Sequence, residues 1–204
     1  MKKDLRKNIE LGILFGLICA VILGFARFDT RCDELRTGIL RLHILANSDN
    51  AADQQLKLKV RDRILEVAAP IFQDAKDIDE AVIIARNDKK VLTEEVKKVI
   101  KEEGYDYSVK IDVEKNFFNN RVYDDFTLPA GVYNSLTVRI GESKGHNWWC
   151  VVFPGVCLPA AKKADLKSAV SKSSAKVAEN AKNYKICFKT VEIYEKIKNK
   201  IQKN

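Results

Sequence analysis

Residues 128–158, LPAGVYNSLTVRIGESKGHNWWCVVFPGVCL, collect the rare side chains that carry chemistry: both tryptophans, one of two histidines and two of five cysteines, with four of nine glycines. His146 and Cys150 are the pair a Cys/His hydrolase would need. On an extended strand four residues span roughly 13 Å, whereas nucleophile and base must lie about 3 Å apart, so the spacing argues against that chemistry. Two cysteines and one histidine without close-spaced ligand pairs do not complete a tetrahedral metal set either. Cys150 and Cys157 enclose a Pro154-Gly155 turn that can bring their Cα atoms within bonding range. A disulfide and two buried thiols under Trp148 and Trp149 both stay open. A second constellation, Asp62 on a helix beside His43 on a strand, would polarise a water in a carboxylate-dependent hydrolase acting on the cell wall.

The elements that must position these groups follow from periodicity. Residues 135–140 alternate Leu136, Val138 and Ile140 against Ser135, Thr137 and Arg139, the pattern of a half-buried strand. Residues 148–153 form another, and the glycine-bounded link 141–145 between them predicts a hairpin with a longer loop. Upstream, residues 39–46 read as a strand with one better-buried face. It ends at Asn47-Ser48-Asp49-Asn50, residue types that favour turns and helix N-caps. A helix follows, with Leu56, Val60, Ile64, Val67 and Ile71 at three- and four-residue spacing. A second helix is expected over residues 78–101, with Asn87-Asp88 as a candidate break. Residues 105–113 alternate as a strand, and 116–127 suit either a third strand or a loop. The expected class is α+β, an antiparallel sheet with helices packed on one face.

The chain has 204 residues, 46% hydrophobic and 31% charged, which suffices for one core. It opens with Lys2, Lys3, Arg6 and Lys7, followed by sixteen uncharged residues, LGILFGLICAVILGFA. That is the layout of a signal peptide or an N-terminal membrane anchor over residues 1–26, which would place the rest of the chain outside the cytoplasm. Residues 27–38, RFDTRCDELRTG, read as a polar linker and 39–159 as the folded domain. Residues 160–204 carry twelve lysines against four acids, so the net charge of +8 resides in this tail, while 27–159 sum to −2. Its first part reads as a lysine-rich linker or solvated helix. Its end reads as an amphipathic helix with Val191, Tyr194, Ile197 and Ile201 on a stripe. Such a tail suits anionic lipid, each lysine near the surface being worth about 1 kcal/mol. Nucleic acid is a poor partner for an exported chain.

Two stretches, RLHILANSDNAADQQLKLKVRDRIL at residues 41–65 and LPAGVYNSLTVRIGESKGHNWWCVVFPGVC at 128–157, resemble the stage II sporulation protein R family. The resemblance implies a forespore protein exported into the space between forespore and mother cell. There it would trigger a mother-cell membrane aspartic protease that processes the sigma-E precursor. It implies no cofactor, no metal and no catalytic residue. Carried onto this chain, the polar positions expected to meet the partner are His43, Asn47, Asp49, Arg61, Asp62, His146 and Asn147. Trp148 and Trp149 point to opposite faces of their strand, so one is expected in the core and the other free for a partner pocket.

Export is testable directly. Replacing Leu17 and Ile18 with Arg adds about 2.5 to 3.5 kcal/mol of insertion cost per charge, and fractionation should then find the protein retained in the cytoplasm. Normal export of this variant would refute the targeting role of the apolar run.

Overall fold

Strand β1 (Leu40–Leu45) is buried along nearly its whole length, because it is the inner strand between two partners. The computed structural model describes residues 2–123, 126–155 and 170–202. Around β1 are β2 (Val109–Phe118), β5 (Gly131–Ile140) and β6 (Asn147–Phe153), in the order β2-β5-β1-β6. β2 runs antiparallel to β5, β5 parallel to β1, and β1 antiparallel to β6. The fold is α+β as expected, but the sheet is mixed.

The expected hairpin between residues 135–140 and 148–153 does not form; β1 sits between the two strands. The reason lies in β1's two apolar neighbours: Leu42 stands opposite Leu136 on one side and Cys150 on the other, and Ile44 opposite Val138 and Trp148. A strand that apolar is best buried in the middle of a sheet. The link from β5 to β6 must therefore pass over the end of β1.

One face of the sheet carries Leu42, Ile44, Ile111, Leu136, Val138, Cys150 and Val152. It packs against α2 (Ala51–Ile71), α3 (Ile78–Asn87) and α4 (Lys89–Glu102) through Leu56, Val60, Ile64, Ala85, Leu92 and Val96. Asp88 separates α3 from α4, where the sequence offered a break. Asn50 caps α2 and Asp77 caps α3, each accepting a backbone N–H three residues on. Residues 116–118 complete β2, and β3 (Arg121–Val122) with β4 (Thr127–Leu128) forms a small separate ribbon.

Half of the opposite face is also covered. Helix α1 (Lys2–Thr37) does not stop at Ala26; residues 27–37, read as a linker, continue it and pack. Leu35 joins Ile39, Phe118, Leu128, Tyr133, Val151 and two alanines of α5 (Lys172–Glu179) in a second cluster. Phe28 and Cys32 join Val177 with Phe188 and Val191 of α6 (Lys185–Gln202) in a third. The linker reading failed because Phe28, Cys32, Leu35 and Arg36 alternate with charged residues at helical spacing too sparsely to stand out. Glu34 accepts Ser171 and Ser174 hydroxyls at the start of α5, bonds that hold its carboxyl below the usual range. Cys157 and residues 160–169 lie outside the described residues.

Arg36, 3% exposed, is the polar tie of this layer. Its guanidinium donates to Ala130 O at 2.9 Å, Asp33 at 2.7 Å and Asp29 at 3.2 Å, and lies 3.7 Å from Glu195 of α6. Arg36→Met should cost about 3 to 5 kcal/mol, since it leaves the buried Ala130 carbonyl without this donor and the buried Glu195 carboxylate relying on Lys198 at 3.4 Å. Adding Glu195→Gln should recover part of the loss, as a denaturant-melt double-mutant cycle would show. Additive losses would contradict the pairing.

Candidate functional site

Because the β5–β6 connection must cross β1, residues 141–146 fold over the Asn47–Asn50 turn. The two loops are strapped together by backbone and side chain. Lys144 N donates to Asn47 O at 3.2 Å and Gly145 N to Ala46 O at 3.0 Å. Glu142 N donates to Asn47 Oδ1 at 3.0 Å, and His146 N donates to Asp49 Oδ1. Lys57 Nζ on α2 reaches His146 O at 3.0 Å. Asn47 and Asp49 are therefore straps; the helix cap is Asn50.

Beneath the turn lies Asp53, 2% exposed, whose carboxylate gathers Asn47 Nδ2 at 2.8 Å, Ser48 Oγ at 2.6 Å and Asn50 Nδ2 at 3.1 Å. Its own N–H donates to Asn50 Oδ1 at 2.7 Å, the N-cap bond of α2, while the Asn50 backbone N–H goes to Ser48 Oγ at 3.2 Å. Burial alone would raise its pKa, but hydrogen bonds from Ser48, Asn47 and Tyr107 outweigh it and leave the carboxyl below its usual range. Asp49 is lowered as well, by the His146 backbone and then its ring.

The fit is close enough to demand glycine twice. A Cβ on Gly141, at φ +54°, would stand 2.2 Å from Asn47 Oδ1, and one on Gly145 would stand 2.2 Å from Ser48 O.

The predicted polar residues divide in two. Asn47, Asp49, His146 and Asn147 meet on the rim at the end of β1, and the His146 side chain is 81% exposed. Arg61 stands on α2 with its guanidinium 4.5 Å from the Trp148 ring centroid, and Asp62 pairs with it at 2.6 Å. His43 is not on this rim. It lies on the opposite sheet face, 8% exposed, stacked at 3.9 Å on Trp149. Neither tryptophan is free: Trp148 packs against the helix-side cluster and Trp149 against the cluster beneath α1. Both half-buried positions follow from β6 being an edge strand, where each face is covered on one side only.

The hydrolase constellations are not assembled. His43 and Asp62 are separated by the thickness of the sheet. Cys150, 2% exposed, faces the helix layer opposite Leu42, while His146 points out from the loop. Among the described residues, no group of three or more His, Cys, Asp and Glu is placed to hold a metal ion.

Comparison with known proteins fits this frame of β1, its turn and the strap above it. A family model described as Stage II sporulation protein R matches residues 36–163. The Stage II sporulation protein R of Bacillus subtilis (strain 168) is 31% identical over 189 residues, 86% of this chain and 84% of the relative. The chain belongs to the stage II sporulation protein R family. No solved structure matches it. The family match begins at Arg36, the tie of the second layer, and spans both rim loops.

Asp53 and Lys57, which lock the rim of this family member, were absent from the expected partner residues. The available signal was the Asn50–Asp53 spacing, an N-cap residue three positions before an acid in the first turn of a helix.

Two measurements check the site. Gly145→Ala should lower stability by about 1 to 3 kcal/mol, the range for overpacking, because its Cβ would press on the Ser48 carbonyl; an unchanged melt would deny the close approach. His43 is held neutral, its pKa lowered to about 4 chiefly by burial. The unfolded chain takes up that proton near its ordinary pKa of about 6.5, so stability should fall as pH drops from about 6.5 towards 4. His43→Phe should match the parent at pH 7 and lose that part of the acid sensitivity; an identical pH profile would contradict it.

Proposed function

We propose that this protein is an exported sporulation signal that activates, by binding, a mother-cell membrane aspartic protease that processes the sigma-E precursor. The observation that carries the reading is the rim itself. Asp49, His146 and Asn147 are exposed, yet the backbone beneath them is fixed by a web of exposed and part-buried hydrogen bonds. A preordered polar surface loses little entropy on docking, and Arg61 over Trp148 adds an aromatic-backed cation beside it. Family membership supplies the sporulation context.

Export is supported by α1, whose apolar stretch has Leu11, Phe15, Leu17, Val21 and Leu23 exposed and none of its most apolar window buried. Such a helix suits a signal or an anchor, with the domain delivered into the intermembrane space. The Cys150–Cys157 bridge belongs to the same proposal, since that compartment permits disulfides. The lysine-rich tail would face anionic lipid.

Both His146→Ala and Arg61→Ala leave the backbone straps untouched, so His146→Ala should melt like the parent and Arg61→Ala should lose only its contact with Trp148, about 1 kcal/mol. Truncating a central interface residue typically costs about 2 kcal/mol, roughly thirtyfold in affinity. Each variant should therefore need about that much more protein to drive precursor cleavage by protease-bearing membranes. Full potency of both would remove the rim from the mechanism. Processing by a trace of this protein with turnover, lost in a folded Cys150→Ala variant, would restore the hydrolase.

A further inference from the structure

Helix α6 has a second apolar face that the core does not use. Phe188 and Val191 face inward, and so do both of its acids, with Glu192 9% and Glu195 4% exposed. On the other side Ile186 is 82% exposed, Ile193 52%, Ile197 56% and Ile201 70%. Spacings of seven and four residues place these isoleucines on one stripe. Lys189, Lys196 and Lys200 flank it on one side and Lys198 on the other; Lys189 and Lys196 pair with Glu192 at 3.2 and 2.6 Å and Lys198 with Glu195 at 3.4 Å, so the acids beneath are neutralised while the partly exposed ammonium groups edge the apolar stripe. The outward half of α6 is thus isoleucine edged by lysine, with its negative charges turned away.

The stripe stands at a particular height on the molecule. Tyr194 meets Phe25 edge-on, with centroids 6.3 Å apart. Phe28 meets Phe188 and Tyr184 at 5.3 and 5.6 Å. α6 therefore touches α1 where the sixteen-residue uncharged run gives way to Arg27, which is the level of the bilayer surface when that run is inserted. Most of the run's apolar side chains are exposed.

We propose that α6 is an interfacial helix. Its Ile186–Ile193–Ile197–Ile201 stripe lies in the headgroup region of the same anionic bilayer that α1 enters, and its lysines contact lipid phosphates. Continuity with the lipid-seeking part of α1 and the one-signed charge of the exposed face select lipid over a protein partner. The domain is then held by two elements at a fixed tilt, so the rim at the end of β1 is presented in one orientation. This inference rests on α1 being membrane-inserted.

The test uses the full chain carrying Ile197→Trp, reconstituted into vesicles with or without phosphatidylglycerol, some made with lipids brominated near the headgroup. The unsubstituted chain, with Trp148 and Trp149, gives the background. A helix seated about 5 to 10 Å into the interface should lose roughly half of the added emission to the bromines in phosphatidylglycerol vesicles. An Ile193→Glu change in the same chain should abolish that quenching. Alkylation of Cys19 by a membrane-impermeant reagent, read by mass spectrometry, reports α1 insertion separately. Cys19 protected with the introduced indole unquenched overturns the interfacial helix and leaves the anchor standing. Cys19 reactive with that indole quenched sinks the anchor and supports lipid binding by α6 alone. Both negative overturns both. A blue shift of the added emission without bromine quenching assigns the stripe to a protein surface and overturns the proposal.

Discussion

Everything in this structure depends on β1 being apolar towards both of its strand neighbours. With Leu42 and Ile44 flanked by β5 on one side and β6 on the other, two strands adjacent in sequence are forced apart. Their connection becomes a bridge across the sheet's end. That bridge needs something to rest on, and the Asn47–Asn50 turn provides it through backbone carbonyls, two side-chain acceptors and the Asp53 carboxylate below. The rim is therefore a consequence of topology, built where the chain has to cross.

Much of this was legible in the sequence and some was not, for separable reasons. Alternation located β5 and β6, and helical spacing located α2 and the pair α3 and α4 with the break between them. The polar residues of the rim were also visible as types that bond backbone. Pairing was the failure: alternation shows that a strand has an inner face but not which strand lies beside it, and short sequence separation favoured a hairpin that a buried β1 displaced. His43 was misassigned for the same reason, since a polar residue between Leu42 and Ile44 looks exposed until the second face is found to be covered. That cover comes from residues 27–37 and α5, whose few apolar residues are diluted by charge. Asp53 and Lys57 were left out of the expected partner residues because buried charges in a helix look like solvated ones when only spacing is read.

The two sheet faces are held by different physics. The helix side is an apolar cluster of ordinary composition. The other side buries Arg41, at 4.0 Å from the Phe118 ring centroid and hydrogen-bonded to Tyr123 at 3.0 Å, beside the His43–Trp149 stack. Burial also pushes the Cys32 thiol up to about 12, which makes it a packing residue. This aromatic and cationic layer is what α1 and α5 close over. Helix α1, whose first part is long and apolar enough to cross a membrane, is thereby continuous with the domain's own core, on which the proposed signal surface sits.

The central claim is that this body works by docking its strapped rim onto a partner without chemistry of its own. Hydrogen exchange of the full chain, followed by mass spectrometry with and without membranes bearing the mother-cell protease, tests it most directly. The account predicts slowed exchange confined to residues 47–50, 57–62 and 141–147, saturating at one copy per protease. Activation with no protection in these segments, or with protection only elsewhere on the domain, would contradict it.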